Sequence, residues 1–221
     1  MHSRTINLTF HGIGDHGKQL DAGEQAGWVT LAQFRAVLDV AAERRDIRLS
    51  FDDGNASDVQ HALPALTELG LRATFFLVAG RLGRPGYVDA AGVNALSSAG
   101  MTIGCHGMRH RPWRALDDES LREELVDARQ VLEAIIGRPV IDAACPFGSY
   151  DRRVLRSLRR CGYQAVYTSD GGTAASDAWL QARTSVSARD SPALVDQIAS
   201  SERPWYRPLL RRTKCAAKQW R

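Results

Sequence analysis

The stretch IRLSFDDG, residues 47–54, joins a short strand-like segment directly to two carboxylates and a glycine. Apolar and polar side chains alternate over residues 47–51, which is the pattern of a β-strand with one buried face. Asp52 and Asp53 follow where this strand should end. Acidic residues before a glycine also occur in ordinary turns and at helix starts, so the stretch alone leaves a turn and a chemical site as alternatives.

Six further strand-like segments occur along the chain, at residues 5–10, 72–78, 101–105, 140–144, 163–167 and 183–187. Helical patterns lie between them and begin after capping residues such as Thr30, Asp89 and Asp151. One of these patterns runs from residue 117 to Gly137, and another is predicted to begin at Ser191. About seven alternations of strand and helix predict a parallel α/β fold, which a closed (β/α) barrel and an open doubly wound sheet both satisfy.

Composition predicts one domain with a basic extension. The 221 residues are 44% hydrophobic and carry a formal charge of +4. We predict a domain over residues 1–200 and a tail or helix over 201–221, because residues 203–221 contain seven Lys or Arg and no acid. This tail could contact an anionic membrane surface, nucleic acid or a charged partner, or form a solvated helix. No specific nucleic-acid target is expected.

The sequence also suggests a compartment. It contains no apolar run near the ~20 residues that span a bilayer, and its first residues lack the apolar core of a signal peptide. The four cysteines form no CxxC pair, so reduced thiols are expected: Cys105, Cys145, Cys161 and Cys215. We therefore expect a cytoplasmic protein, with peripheral membrane contact through the tail as an option.

Residues of polar or glycine-rich turns follow four of the predicted strands. They are His11 after 5–10, Asp52 and Asp53 after 47–51, His106 with His110 after 101–105, and Pro146-Phe147-Gly148 after 140–144. Sites in parallel α/β folds lie at the C-terminal ends of strands, so these residues should share one mouth. Two imidazoles and a carboxylate form a metal-binding set that leaves positions open for water and substrate. Each of these residues alone could be an ordinary turn, surface or core residue. Their joint placement after neighbouring strands instead favours a catalytic or metal-binding site.

The segments LSFDDG, ALPALTELGLRATFFLVAGRLG, GMTIGCHGMRH and ACPFGSYD, in this order, resemble the polysaccharide deacetylase family, the NodB-homology domain of carbohydrate esterase family 4. The likeness covers residues 5–190. It implies a distorted (β/α)7 barrel that removes acetyl groups from N-acetylated saccharides. Asp53, His106 and His110 would bind a divalent metal, with Zn²⁺ expected and Co²⁺, Ni²⁺ or Fe²⁺ compatible. Asp52 would be the general base that takes a proton from water.

The resemblance also implies roles, and some departures, around the mouth. The amide of Phe147, after Pro146, would help stabilise the tetrahedral oxyanion. The family's usual Ser or Thr after the first histidine is Gly107 here, and its usual arginine two residues before the proline is Ala144. Arg183 could replace that arginine or be an ordinary surface residue.

His11 is explained by a permuted order. The family commonly takes its general acid from a Leu-His motif near the C-terminus, but the last histidine here is His110. Biofilm poly-N-acetylglucosamine deacetylases show an arrangement in which that strand comes first, and residues 7–15, NLTFHGIGD, look similar to it. We therefore predict that His11 is the general acid. Trp113 could stack on a sugar ring or pack under the loop.

Two other functions remain compatible with the sequence. The barrel could hydrolyse a non-sugar amide, or it could be an inactive fold that binds carbohydrate or a partner. The sequence leaves open the exact saccharide, its carrier or chain length, the native metal and the oligomeric state.

Overall fold

The computed structural model describes residues 4–16 and 24–190, together with Ala193 and Lys218. Its strands are β1 Arg4–Phe10, β2 Gly12–Ile13, β3 Trp28–Val29, β4 Ile47–Asp53, β5 Ala73–Leu77, β6 Thr102–Cys105, β7 Asp142–Ala144, β8 Ala165–Thr168, β9 Thr173–Ala175, β10 Leu180–Ala182 and β11 Thr184–Ser185. Its helices are α1 Leu31–Ala42, α2 Leu63–Glu68, α3 Ala90–Ser98, α4 Asp118–Arg122, α5 Ala128–Ile136 and α6 Arg152–Arg160. Two π-helical turns, Asp58–Ala62 and Glu123–Asp127, precede α2 and α5.

The main sheet has the order β10-β8-β7-β6-β5-β4-β1-β11, and β9 adds to β1 as an antiparallel strand. All neighbours along the main order are parallel. Only Arg183 separates β10 from β11, so one chain segment pairs with β8 on one side and with β1 on the other. This split strand curls the sheet into a nearly closed barrel. The predicted (β/α)7 fold is therefore confirmed, and the open sheet is wrong.

Strand periodicity separates the face that packs against the helices from the barrel interior. Phe10, Phe51 and Phe75 lie at the same level on β1, β4 and β5, and the Phe51 ring stacks on the Phe75 ring with centroids 4.6 Å apart. Phe34 of α1 packs edge-on against Phe10 at 5.3 Å. All four rings are buried, and each burial stabilises the fold by roughly 1.5–3 kcal/mol. Because side chains alternate along a strand, Asp52 points to the opposite side of the sheet from Phe51.

The helix starts follow the predicted capping residues. The Thr30 side chain accepts from the amide of Gln33 in a capping box, and Asp89 and Asp151 also cap α3 and α6. The helical pattern from residue 117 is interrupted, because the π-helical turn Glu123–Asp127 separates α4 from α5. The helix ends as expected at Gly137, whose φ of 66° is left-handed.

Some expectations are corrected or lie outside the described part of the chain. Residues 168–183, which lie between two predicted strands and are rich in glycine and alanine, contain the unpredicted strands β9 and β10. The buried Gln181 side chain links them by donating to the Ala175 and Ala178 carbonyls. The predicted helix at Ser191 and the tail 201–221, apart from Lys218, fall outside the described residues. Among the residues described, no helix is both long and apolar enough to cross a membrane.

Candidate metal centre

The strand register brings the predicted site residues to one edge of the barrel. Phe10 is opposite Phe51, which places His11 beside Asp52 at the ends of β1 and β4. Asp53 is opposite Leu77, and Leu77 is opposite Cys105, the residue before His106. The C-terminal ends of neighbouring parallel strands thus form the expected shared mouth.

Asp53, His106 and His110 form a cluster whose ligand atoms all lie within 4.8 Å of one another. His110 Nε2 is 3.1 Å from Asp53 Oδ1, and His106 Nε2 is 3.8 Å from the same oxygen. Asp53 and His106 are buried, and His110 is partly buried. These distances allow a single cation to contact one atom from each residue.

The chemistry of this cluster fits a divalent metal. Asp53 Oδ1 is buried and has no hydrogen-bond partner among the described residues, as expected of an oxygen reserved for a cation. His106 Nδ1 donates to the carbonyl of Ala144 at 2.8 Å, which leaves the Nε2 lone pair facing Asp53. Burial lowers the pKa of His110 to about 3, so its imidazole is neutral and able to act as a ligand.

Backbone strain is concentrated at this mouth. Among the described residues, three that are not glycine have positive φ: Asp53 at 79°, His110 at 56° and Phe147 at 57°. Such conformations cost on the order of 1–3 kcal/mol each and persist where the surrounding structure fixes them. Two of the three belong to the candidate metal cluster, and the third follows Pro146. The strain therefore coincides with the predicted site.

Asp52 is held by a buried arginine. Arg183 Nη1 and Nη2 donate to Asp52 Oδ1 and Oδ2, each at 2.6 Å, and the Arg183 side chain is 0% exposed. Burial alone would raise the pKa of Asp52, but the charges of Arg183 and His106 outweigh it and hold that pKa well below its ordinary value. Of the two alternatives for Arg183, an ordinary surface residue is wrong.

His11 lies at the end of β1, beside β4, the strand that carries Asp52. Its charge is among those that lower the pKa of Asp52, which places the imidazole within electrostatic reach. The Nδ1 atom of His11 is buried and has no hydrogen-bond partner among the described residues. The Asn55 side chain donates to the His11 carbonyl and so fixes the backbone at the end of β1.

Residues 39–166 match the family described as Polysaccharide deacetylase. The chain belongs to the polysaccharide deacetylase family. It is 24% identical over 160 residues to YxkH of Bacillus subtilis, covering 71% of this chain and 57% of YxkH. It is 27% identical over 118 residues to a chitin deacetylase of Pestalotiopsis, covering 53% of this chain and 39% of that protein. The chain thus spans about half the length of these curated relatives.

A solved structure supports the fold of this chain. The Streptococcus pyogenes deacetylase PplD, solved in complex with acetate, aligns with a TM-score of 0.79 at 17% identity. The alignment covers 92% of this chain and all of PplD, at 100%. This likeness shows a common fold and assigns no residue role.

The rim of the candidate site contains one exposed aromatic ring, and a second aromatic ring nearby is buried. Phe147 is 66% exposed, and its ring centroid lies 4.5 Å from that of His110. Pro146 beside it is buried. Trp113 is 0% exposed and belongs to the hydrophobic core, so it packs under the loop and cannot stack on a sugar in this conformation.

Several supporting residues were not predicted. Thr9 donates to Asp52 at 3.3 Å, and Arg81 lies 3.7 Å from Asp53 and 3.4 Å from His110 Nδ1. Asn55 fixes His11, as described above. Thr9 alternates with Leu8 and Phe10 on β1, a signal that its side chain faces the barrel interior. Arg81 lies in the turn after β5, just as the other site residues lie after their strands. Its position alone could therefore have identified it as a candidate site residue.

Proposed function

We propose that this protein is a metal-dependent deacetylase that hydrolyses the acetamide of an N-acetylated saccharide. The observation that carries this proposal is the buried Asp53 Oδ1, which lies near two imidazoles and has no hydrogen-bond partner among the described residues. Beside it is a second carboxylate, Asp52, which Arg183 holds. Asp53, His106 and His110 would hold the metal, which we propose to be Zn²⁺. When bound, the metal would polarise the acetyl carbonyl and lower the pKa of the attacking water. The water must be acidified because the proposed base, Asp52, has a low pKa and is therefore a weak base.

Asp52 would accept the proton from that water. The fork of Arg183 holds the carboxylate in one orientation through two parallel hydrogen bonds, the geometry in which arginine fixes acids best. Arg183 would thereby replace the arginine that this sequence lacks at Ala144. The lowered pKa keeps Asp52 ionised over the whole range in which histidines titrate.

His11 would protonate the leaving amine. The nitrogen leaves poorly as an anion, so it must be protonated as the C–N bond breaks in order to depart as the free amine. An imidazole is suited to delivering that proton near neutral pH. His11 flanks Asp52 because β1 is the neighbour of β4, so base and acid would act from adjacent strand ends. The Phe147 amide would stabilise the oxyanion, with Pro146 fixing the chain before it.

The saccharide substrate rests on family membership and on the chitin deacetylase among the relatives. The exposed Phe147 ring at the rim offers an apolar face to a sugar. Membrane contact through the basic tail is not supported by Lys218, the tail residue that the structure describes. Its ammonium donates to Asp170 at 2.8 Å and to the Gly148 carbonyl at 3.1 Å, within the protein itself. A cytoplasmic location stays a prediction from the sequence.

The test measures acetate release from N-acetylglucosamine oligomers and from lipid-linked N-acetyl sugars. Chelated protein, zinc-reconstituted protein and the variants His11→Ala and Asp52→Asn are compared, with His61→Ala as a histidine control outside the ligand cluster. We expect zinc-dependent release that falls about 10²–10⁴-fold in the first two variants and little in the control. Unchanged release in His11→Ala would remove the proposed acid. No release by zinc-loaded protein would favour a non-sugar amide or an inactive barrel.

A further inference from the structure

Glu124 is a completely buried carboxylate that the proposed reaction does not use. It lies on the π-helical turn Glu123–Asp127 between α4 and α5 and is 0% exposed. A buried charge is costly unless it is paired and hydrogen-bonded. The partners of Glu124 should therefore show what it is for.

Those partners belong to the loop that ends at the metal ligand His110. Glu124 Oε2 accepts from the Met108 amide at 2.9 Å, and the Arg109 amide lies 3.1 Å from Oε1 and 3.3 Å from Oε2. Arg111 Nε donates to Oε1 at 3.0 Å. One carboxylate thus binds residues on both sides of His110, including the two backbone amides that precede it.

Gly107 explains how the carboxylate reaches this loop. A Cβ at residue 107 would lie 2.1 Å from Glu124 Oε2 and 3.2 Å from Trp113 Nε1, so the acid occupies the space of the missing side chain. The φ of Gly107 is also +87°, which disfavours other residues.

The strained backbone at His110 needs such a brace. Its φ of 56° is held while its imidazole approaches Asp53 to 3.1 Å. A residue in this region stays there only when its surroundings fix it. The amides fixed by Glu124 are those of the two residues before His110.

We propose that Glu124 is a positioning residue that fixes the 107–111 loop and thereby places His110 for metal binding. This inference rests on the proposed metal site. It assigns Glu124 no contact with substrate; the carboxylate acts through the backbone of Met108 and Arg109.

The test compares Glu124→Gln with Glu133→Gln. Glu133 also accepts from an arginine, Arg129 at 2.7 Å, and from a backbone amide, Val140 at 2.9 Å, but it lies on α5 away from the cluster. Glutamine keeps the shape but replaces one acceptor oxygen with a donor that faces other donors. In competition with a chromogenic chelator, we expect zinc binding to weaken about 10-fold or more in Glu124→Gln and to stay unchanged in Glu133→Gln.

Equal zinc affinity in Glu124→Gln and the native protein would overturn the proposal, as would equal losses in both variants. A second readout is amide hydrogen exchange of the metal-free protein. We expect faster exchange at Met108 and Arg109, and through the 107–111 loop, in Glu124→Gln alone. If the native protein binds no zinc, the proposed metal site fails, while this exchange still decides whether Glu124 fixes the loop; an unchanged rate at 108 and 109 counts against it.

A double-mutant cycle tests whether a side chain at residue 107 and the Glu124 carboxylate compete for the same space. Gly107→Ser is expected to lower the melting temperature and the zinc affinity more in the native background than in Glu124→Ala, where the competing carboxylate is gone. Purely additive effects would contradict the competition between the Cβ at residue 107 and the Glu124 carboxylate.

Discussion

Replacing Arg183 with methionine should leave Asp52 as a buried charge without its main partner. The two side chains are 0% and 3% exposed, and both Asp52 oxygens are bound by the guanidinium at 2.6 Å. Arg183 Nη1 also lies 3.2 Å from Thr9 Oγ1 and 3.1 Å from Ser50 Oγ. Removing one member of a buried ion pair costs about 3–5 kcal/mol, so we expect a loss of this size in the free energy of unfolding near neutral pH.

The loss should depend on pH in a defined direction. Burial would raise the pKa of Asp52, but Arg183 and His106 outweigh it and place it below the ordinary 3.8, so in the native protein this group stabilises the fold above that pH. That contribution disappears only as the pH falls through the low folded-state pKa. In Arg183→Met the burial is less opposed, so the folded-state pKa of Asp52 rises. The deficit of the variant should therefore be largest near neutral pH and shrink as the pH falls to about 4.

Urea denaturation of chelated protein at both pH values measures this deficit. Arg44→Met is the matched control, because Arg44 binds Asp46 through two bonds of 3.0 and 2.6 Å, but with side chains 28% and 43% exposed. Such a pair at the surface contributes roughly 0–1 kcal/mol. The reasoning is refuted if Arg183→Met loses no more than Arg44→Met, or if its deficit is the same at the two pH values.

Three further outcomes follow from the described contacts. Trp113→Ala removes a fully buried indole and should lower the free energy of unfolding by about 3–5 kcal/mol in urea denaturation; a loss under about 1 kcal/mol would contradict its burial. Gly137→Ala should cost about 1–2 kcal/mol by the same measurement, because φ is 66° while, chain neighbours aside, no atom of the described residues lies within 4 Å of the added methyl; no loss would refute the left-handed cap. Burial raises the pKa of Cys105 to about 11 and raises that of Cys145, so both should resist alkylation at mildly basic pH while the half-buried Cys161 reacts, as mapped by peptide mass spectrometry. Rapid labelling of Cys105 in folded protein would contradict this order.

Much of the fold could be predicted because its signals are local. Alternation over residues 47–51 and the polar residues after it indicated a strand whose end carries Asp52 and Asp53. Capping residues such as Thr30 located helix starts. These signals failed where pairing with distant strands determines the secondary structure. Residues 168–183 lack strong strand propensity, and β9 and β10 form there because β1 and β8 pair with them.

The candidate site, like the fold, could be predicted from the sequence only in part. The sequence by itself determined the residue types and their positions at strand ends, and it indicated that Asp53, His106 and His110 could share a metal. Only the tertiary structure decided which groups each buried charged side chain pairs with. Arg183 meets Asp52 across 131 residues because the last strand closes the sheet between β8 and β1. Glu124 reaches the His110 loop from a π-helical turn. Periodicity and capping act over a few neighbouring residues, whereas the partner of a buried charge depends on the order and register in which distant strands and helices pack.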